Sequence, residues 1–200
     1  MPSSPLLPAW HSPFLEALRH SGRLRFEARS GPASQMQWNH QGSGSIQVTE
    51  DGNEIRFDER FMLDNGLPCT DRKAWRFTQQ GILFRHWRQQ QFQDILLLVP
   101  DDTDNNKHHA HPTTSNQNHQ ADNAIPDKLP PEQPKAPGHE TKVLRLIALA
   151  PYRCPPDRYD GSLTLDGDTL VLTLRITGTR KDECIRYRYQ PRESGNRLAS

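Results

Sequence analysis

The sequence predicts an all-β chain: an antiparallel, up-and-down barrel of about ten strands, with one short N-terminal helix and a long disordered insertion. Three observations carry this. Apolar and polar residues alternate with the two-residue period of a half-buried strand through most of residues 23–99 and 160–190. Glycine-centred turns such as Asp51-Gly52-Asn53 and Asp166-Gly167-Asp168 punctuate the alternating runs. One helix cannot cover a parallel sheet, and about ten strands are more than a small open sheet comfortably holds. Closure into a barrel is the expected way to remove exposed edges, and a two-sheet sandwich is the alternative.

In chain order, residues 1–11 are rich in Pro and Ser and read as a flexible tail. Ser12 can cap a helix with Pro13 at its first position, and Phe14, Leu15 and Leu18 then share a face until the helix stops near Gly22. From Arg23 the period becomes two. Leu24, Phe26 and Ala28 form one apolar face, and Met36, Trp38 and His40 a second. Ile46 and Val48 follow in residues 42–50, and Ile55, Phe57, Phe61 and Leu63 in residues 54–63. Further strands are expected over 73–78, 82–88 and 92–99.

Residues 101–141 then break the pattern with Pro, Asn, Asp, Gln and His and almost no large apolar side chain, a composition that cannot offset its ordering entropy. They read as an insertion between two strands of a single barrel domain spanning 12–190, followed by a flexible tail over 191–200. Ordered sequence resumes at Lys142. Leu170, Leu172, Leu174 and Ile176 give the least ambiguous strand, and Ile185, Tyr187 and Tyr189 face one way on its hairpin partner.

Bulk composition narrows the function classes. Over 200 residues, 33% are apolar and the mean hydropathy is -0.87, low for a fully folded chain of this size and in keeping with an unfolded insertion. Lys+Arg 25 against Asp+Glu 24 leaves a net charge of +1, so no global field draws the chain to nucleic acid. No apolar run approaches the roughly 18 residues of a membrane span, and the N-terminus lacks the pattern of a secretory signal, so a cytoplasmic location without integral membrane association is expected. There Cys69, Cys154 and Cys184 stay reduced, and their spacing offers no zinc site. His108, His109, His111, His119 and His139 could take up metal adventitiously, but a tract without order has no selective geometry, so neither a cofactor nor a physiological metal is expected.

A family resemblance enters through the C-terminal text YRCPPDRYDGSLTLDGDTLVLTLRITGTRKDECIRYRY. Its Cys154, Asp157, Tyr159 and Gly161, followed by Gly178, Arg180, Lys181 and Asp182, resemble the end of the bacterial and fungal family of unknown function DUF6314. There the pattern runs H-x-C-x-x-D-x-Y-x-G, then G-P-R-K-D. Tyr152 and Thr179 depart from it, standing where the family tends to have His and Pro. Upstream the likeness is general, with Lys73 to Phe77 similar to the family's Arg-aromatic strand. The resemblance implies a lipocalin-like (calycin) barrel and brings no established activity.

Candidate ligand-binding residues are the polar and aromatic side chains that interrupt the alternating faces: Trp38, His40, Arg76, His86, Trp87, Tyr159, Arg180, Arg186 and Tyr187. A lumen lined by aromatics with a few Arg, His and Tyr suits a small apolar or amphipathic ligand with an acidic head. The plainer alternative is that one face packs a core and the arginines decorate the exterior. Arg180, Lys181 and Asp182 could likewise be a solvated hairpin loop, a structural clasp involving Asp157 or Asp182 and an arginine, or an anion grip over the barrel end. Cys154 reads as an inert thiol, since no histidine is placed beside it in the sequence. Lumen binding without catalysis is the leading expectation, and no catalytic residue is assigned. An enzyme working at the barrel mouth and a protein-interaction module are the alternatives, and the sequence leaves the oligomeric state open.

Overall fold

The computed structural model describes residues 7–101 and 143–192. A helix, α1 (His11–His20), precedes strands β1 (Ser21–Ser30), β2 (His40–Asp51), β3 (Glu54–Leu63), β4 (Pro68–Phe77), β5 (Ile82–Arg88) and β6 (Gln91–Pro100). After the undescribed stretch come β7 (Leu144–Ala148), β8 (Tyr152–Cys154), β9 (Asp157–Asp166), β10 (Thr169–Thr177) and β11 (Asp182–Pro191). Neighbours pair antiparallel in the order β10-β11-β1-β2-β3-β4-β5-β6-β7-β9, and β9 pairs back onto β10. That last ladder closes the sheet, so the fold is a barrel and not a sandwich. β8 pairs only with β9, from Tyr152 opposite Tyr159 to Cys154 opposite Asp157.

Alternation sets which residues face inward. On β10 and β11 the buried positions are Leu170, Leu172, Leu174 and Ile176, and Ile185, Tyr187 and Tyr189, in the phase read from sequence. The Asp51-Gly52-Asn53 and Asp166-Gly167-Asp168 turns join hairpins as expected, with Gly52 at φ 63 and Gly167 at φ 59, a region that costs glycine little.

The structure differs from the sequence reading in several places. β4 begins at Pro68, where a strand was expected only over 73–78, and His11, read as part of the flexible tail, opens α1 and is buried. Residues 35–39 are not a strand: Gln37 has φ 49, which breaks extended backbone, and β2 starts at His40. Ser12 lies inside α1, whose N-cap is Trp10 without a side-chain hydrogen bond, so the predicted Ser cap does not form. β8 and its pairing with β9, across a turn that contains the cis Pro155-Pro156 bond, were not anticipated. Residues 102–141 of the segment expected to be disordered, residues 193–200 of the tail expected over 191–200 and residues 1–6 of the tail expected over 1–11 lie outside the described residues, while Pro191 ends β11. Asp101 is described, and its amide donates to Arg145 O at 3.1 Å.

One end of the barrel is filled. α1 turns Phe14 and Leu18 into the core, packs on β9, β10 and β11, and brings the His11 ring 5.4 Å from Phe77 at the end of β4. Above it Phe57, Trp75, Phe84 and Tyr189 form an aromatic cluster, with centroid separations of 6.1 Å for Phe57–Trp75, 5.2 Å for Phe57–Tyr189 and 5.0 Å for Trp75–Phe84. Trp75, Phe57 and Tyr189 are at 0% exposure, so this half of the lumen is solid.

Candidate functional site

Two residues further along the same strands, toward the other end, the inward side chains change character. Phe57 is followed by Glu59, Trp75 by Lys73, Phe84 by His86 and Tyr189 by Tyr187, so a polar layer lies directly on the aromatic one. Above that layer the barrel is open, and the space is a cup of about 540 Å³. Its apolar wall is Phe26, Phe61, Leu63, Ile95, Leu174, Ile176 and Ile185, with Met36 and Trp38 at the rim; Asp71, Lys73, His86, Arg88 and Tyr187 form the polar side. A larger trough of about 970 Å³ beside α1 lies outside the barrel, bordered by Glu16, Arg19, Val48 and Leu165, and is more open to solvent.

The polar side is one connected chain. Tyr189 OH donates to Glu59 Oε1 at 2.9 Å; Lys73 Nζ donates to Glu59 Oε2 at 2.5 Å and to Asp71 Oδ2 at 2.7 Å. The same ammonium sits 3.7 Å from the centroid of the Tyr187 ring. His86 Nε2 lies 2.6 Å from Asp71 Oδ1, and Arg88 Nε donates to His86 Nδ1 at 3.1 Å. Because arginine can only donate, Nδ1 must be the acceptor, which puts the proton on Nε2, facing Asp71. The guanidinium of Arg88 lies 5.2 Å from the centre of the Tyr159 ring.

Charge balance decides the protonation states. Burial alone would lower Lys73, but Glu59, Tyr187 and Asp71 around it override that and hold the ammonium well above the ordinary lysine range. Burial would raise Asp71, yet the Lys73 ammonium and the His86 hydrogen bond keep it well below the usual carboxylate value. Glu59 is pushed up by burial, against the pull of Lys73. The Tyr187 hydroxyl is raised chiefly by burial and stays protonated.

The rim is tied down by a strap, residues 31–39. Gly31 N donates to Asp182 O at 2.6 Å and Gln35 N to Arg180 O at 3.0 Å. The buried Glu183 carboxylate accepts from Ser30 Oγ at 2.6 Å and from Ser34 Oγ. Trp38 N donates back to Ser30 Oγ at 2.6 Å, which holds the Trp38 ring 6.0 Å from Phe26.

Of the residues expected from sequence to bind a ligand, Trp38, His86, Tyr159 and Tyr187 line the cup. Arg76, Trp87 and Arg186 point to the outer face. Arg76 joins Arg56 and Arg85 on the buried carboxylate of Glu54, Trp87 packs with Phe92 and Arg72, and Arg186 borders Glu27, Arg29 and Cys184. Here the plainer alternative holds: these side chains decorate the exterior. His40 sits at the start of β2 with a ring nitrogen 3.3 Å from Asp64 Oδ1 and does not border the cup. Arg180 donates to Gln35 Oε1 at 2.9 Å, on the strap and not over the cup.

The residues of the C-terminal motif hold the rim. Lys181 Nζ donates to Asp157 Oδ2 at 2.5 Å, Gly178 N to Lys181 O at 2.8 Å, and Gly178 is packed so closely on Asp157 that any side chain there would collide with its carboxylate. Asp157 is thus clasped by a lysine and not by the expected arginine, while Asp182 has Arg175 at 3.6 Å. Cys154 is a half-buried free thiol.

Sequence reasoning missed Glu59, Asp71, Lys73 and Arg88. Among the described residues no group of three His, Cys, Asp or Glu is placed to hold a metal, and no helix is long and apolar enough to cross a membrane. The histidine tract lies outside the described residues.

Fold and site together define a closed, up-and-down β-barrel with one solid end and one cupped end. No family model matches the chain, and no curated protein matches it. Among solved structures it is similar to EF1p2_mFAP2b bound to DFHBI, with a TM-score of 0.38 at 6% identity over 89% of this chain and 96% of that one. It is also similar to the redesigned β-barrel mFAP1 bound to DFHBI, with a TM-score of 0.34 at 8% identity over 87% and 96%. A third is a de novo designed fluorescence-activating β-barrel, with a TM-score of 0.36 at 10% identity, again over 87% of this chain and 96% of that one.

Proposed function

We propose that the protein binds a small amphipathic molecule in the cup. The observation that carries this is a concave space of about 540 Å³, within the size range of small-molecule sites, with an apolar wall facing a connected polar one. Catalysis is the second reading, favoured by the Asp71–His86 pair inside the cup. It is the weaker one, because His86 has both ring nitrogens engaged and offers a substrate no free lone pair. Kinship with the DUF6314 family, supported by the spacing from Cys154 to Asp182, belongs to the same proposal and adds no ligand of its own.

The test is native mass spectrometry of protein purified from its own host, alongside titration with a dansyl-labelled fatty acid. A co-purifying mass and saturable, blue-shifted emission are expected, and Leu174→Trp, which fills the apolar wall, should abolish both while circular dichroism reports an intact barrel. Absence of any bound mass and of saturable emission from the wild-type chain would overturn the reading.

A further inference from the structure

We infer, on the reading that the cup holds a small amphiphile, that the ligand's head group is a carboxylate or related oxyanion and that Arg88 receives it. Among the described residues the lysines and arginines bordering the cup are Lys73, Arg88 and Lys181. Lys73 is fully engaged: its ammonium protons meet Glu59, Asp71 and the face of Tyr187. Lys181 is held by Asp157 in the rim clasp. His86 is bonded through both nitrogens.

Arg88 differs from all of these. Its Nε is used by His86 and its plane lies over Tyr159, but its two terminal nitrogens make no hydrogen bond to any described residue. Those nitrogens present donors in a fixed fork that matches a carboxylate with two parallel bonds. The fork is also aimed. Lys73 fixes Asp71, Asp71 fixes the Nε2–H tautomer of His86, and the Nδ1 lone pair then fixes Arg88 Nε, so each member of the chain orients the next.

The carboxylates in the lining do not compete for Arg88. Asp71 is bonded to Lys73 and His86, and Glu183 accepts from Ser30 and Ser34. A ligand that expelled water from the cup while presenting an uncharged head would leave the guanidinium desolvated and unpaired, which disfavours it. The opposite wall, Phe26, Phe61, Leu174, Ile176 and Ile185, takes the apolar remainder.

The experiment compares dansyl-labelled undecanoic acid with its primary amide, which shares tail and fluorophore, on the full chain with wild-type, Arg88→Gln and Arg88→Lys. The wild type should prefer the acid by about tenfold or more, in line with a charge-assisted pair in a desolvated site. Arg88→Gln should bring that ratio close to one, and Arg88→Lys, which keeps the charge and loses the fork, should fall between. Equal binding of acid and amide by the wild type, or an unchanged ratio in Arg88→Gln, overturns the inference and leaves the cup reading standing. Binding of neither probe overturns both.

Discussion

Replacing Lys73 with Met removes the one cation shared by the buried Glu59 and the half-buried Asp71 while nearly preserving side-chain volume. In the wild type the ammonium lies 2.5 Å from Glu59 and 2.7 Å from Asp71, and the lysine is 1% exposed. Its loss falls unequally on the two acids. Asp71 keeps His86, whereas Glu59, at 0% exposure, keeps only the hydroxyl of Tyr189. Removing one partner of a buried ion pair costs about 3–5 kcal/mol, because the other is left as an uncompensated charge. At about 2–4 °C per kcal/mol for a chain of this size, the melting temperature should fall by roughly 6–20 °C. The double variant Lys73→Met/Glu59→Gln removes the orphaned charge and keeps an acceptor for Tyr189, so it should regain a substantial part of the loss, a coupling of about 1–3 kcal/mol. Urea unfolding followed by tryptophan fluorescence measures all of this without ligand. If Lys73→Met lies within about 1 kcal/mol of wild type, or the double variant is no more stable than Lys73→Met, the ion chain is not a buried, mutually dependent unit.

At the filled end, His11 is 1% exposed and neither ring nitrogen has a hydrogen-bond partner. Burial lowers it below the ordinary histidine value, so its protonated form is disfavoured in the folded state: stability is full above the unfolded value of about 6.5 and declines as pH falls below it. His11→Phe should raise the melting temperature and flatten its drop between about pH 7 and pH 5; an identical drop in the variant would refute this. On β2, Gly44 faces inward against Arg60 O and Phe61 of β3 so closely that no Cβ fits without moving the backbone. Gly44→Val should therefore cost about 1–3 kcal/mol or more in urea despite the higher strand preference of valine, and a neutral result would contradict the close approach of the two strands.

Much of the barrel was legible because its signals are local. Period-two alternation located, at least in part, ten of the eleven strands found among the described residues, and the Asp-Gly turns fixed two hairpins. The missed strand, β8, is Tyr152–Cys154, too short to display a period. The strap over 31–39 was misread because Met36, Trp38 and His40 alternate on paper, while the backbone of Gln37 turns positive to return the chain toward Ser30 and Glu183. That turn is dictated by hydrogen bonds to Glu183, far away in sequence, and no window around residue 37 contains them.

The polar side of the cup was hidden for a different reason, and here the sequence did hold a usable signal. Alternation separates two faces of a strand without saying which is inner when both carry large or charged groups, so Trp87 and Arg76 were as eligible as His86 and Lys73. The deciding feature is phase. Glu59 stands in register with Ile55, Phe57, Phe61 and Leu63, and Lys73 with Trp75 and Phe77, so each charge occupies the apolar face of its own strand. A single charge in that position could mark a misassigned face. Two of opposite sign on consecutive strands of one meander have a physical resolution, since each can enter the low-dielectric interior only by pairing with the other. Lys73 is paired across the ladder with Phe57, one inward step from Glu59, and with His86 on its other side. Strand phase and the pairing of β4 with β3 and β5 bring Glu59, Lys73 and His86 onto one wall, and the next inward position on β5 after His86 is Arg88. The residue proposed to meet the ligand was thus one alternation step away from a candidate already in view.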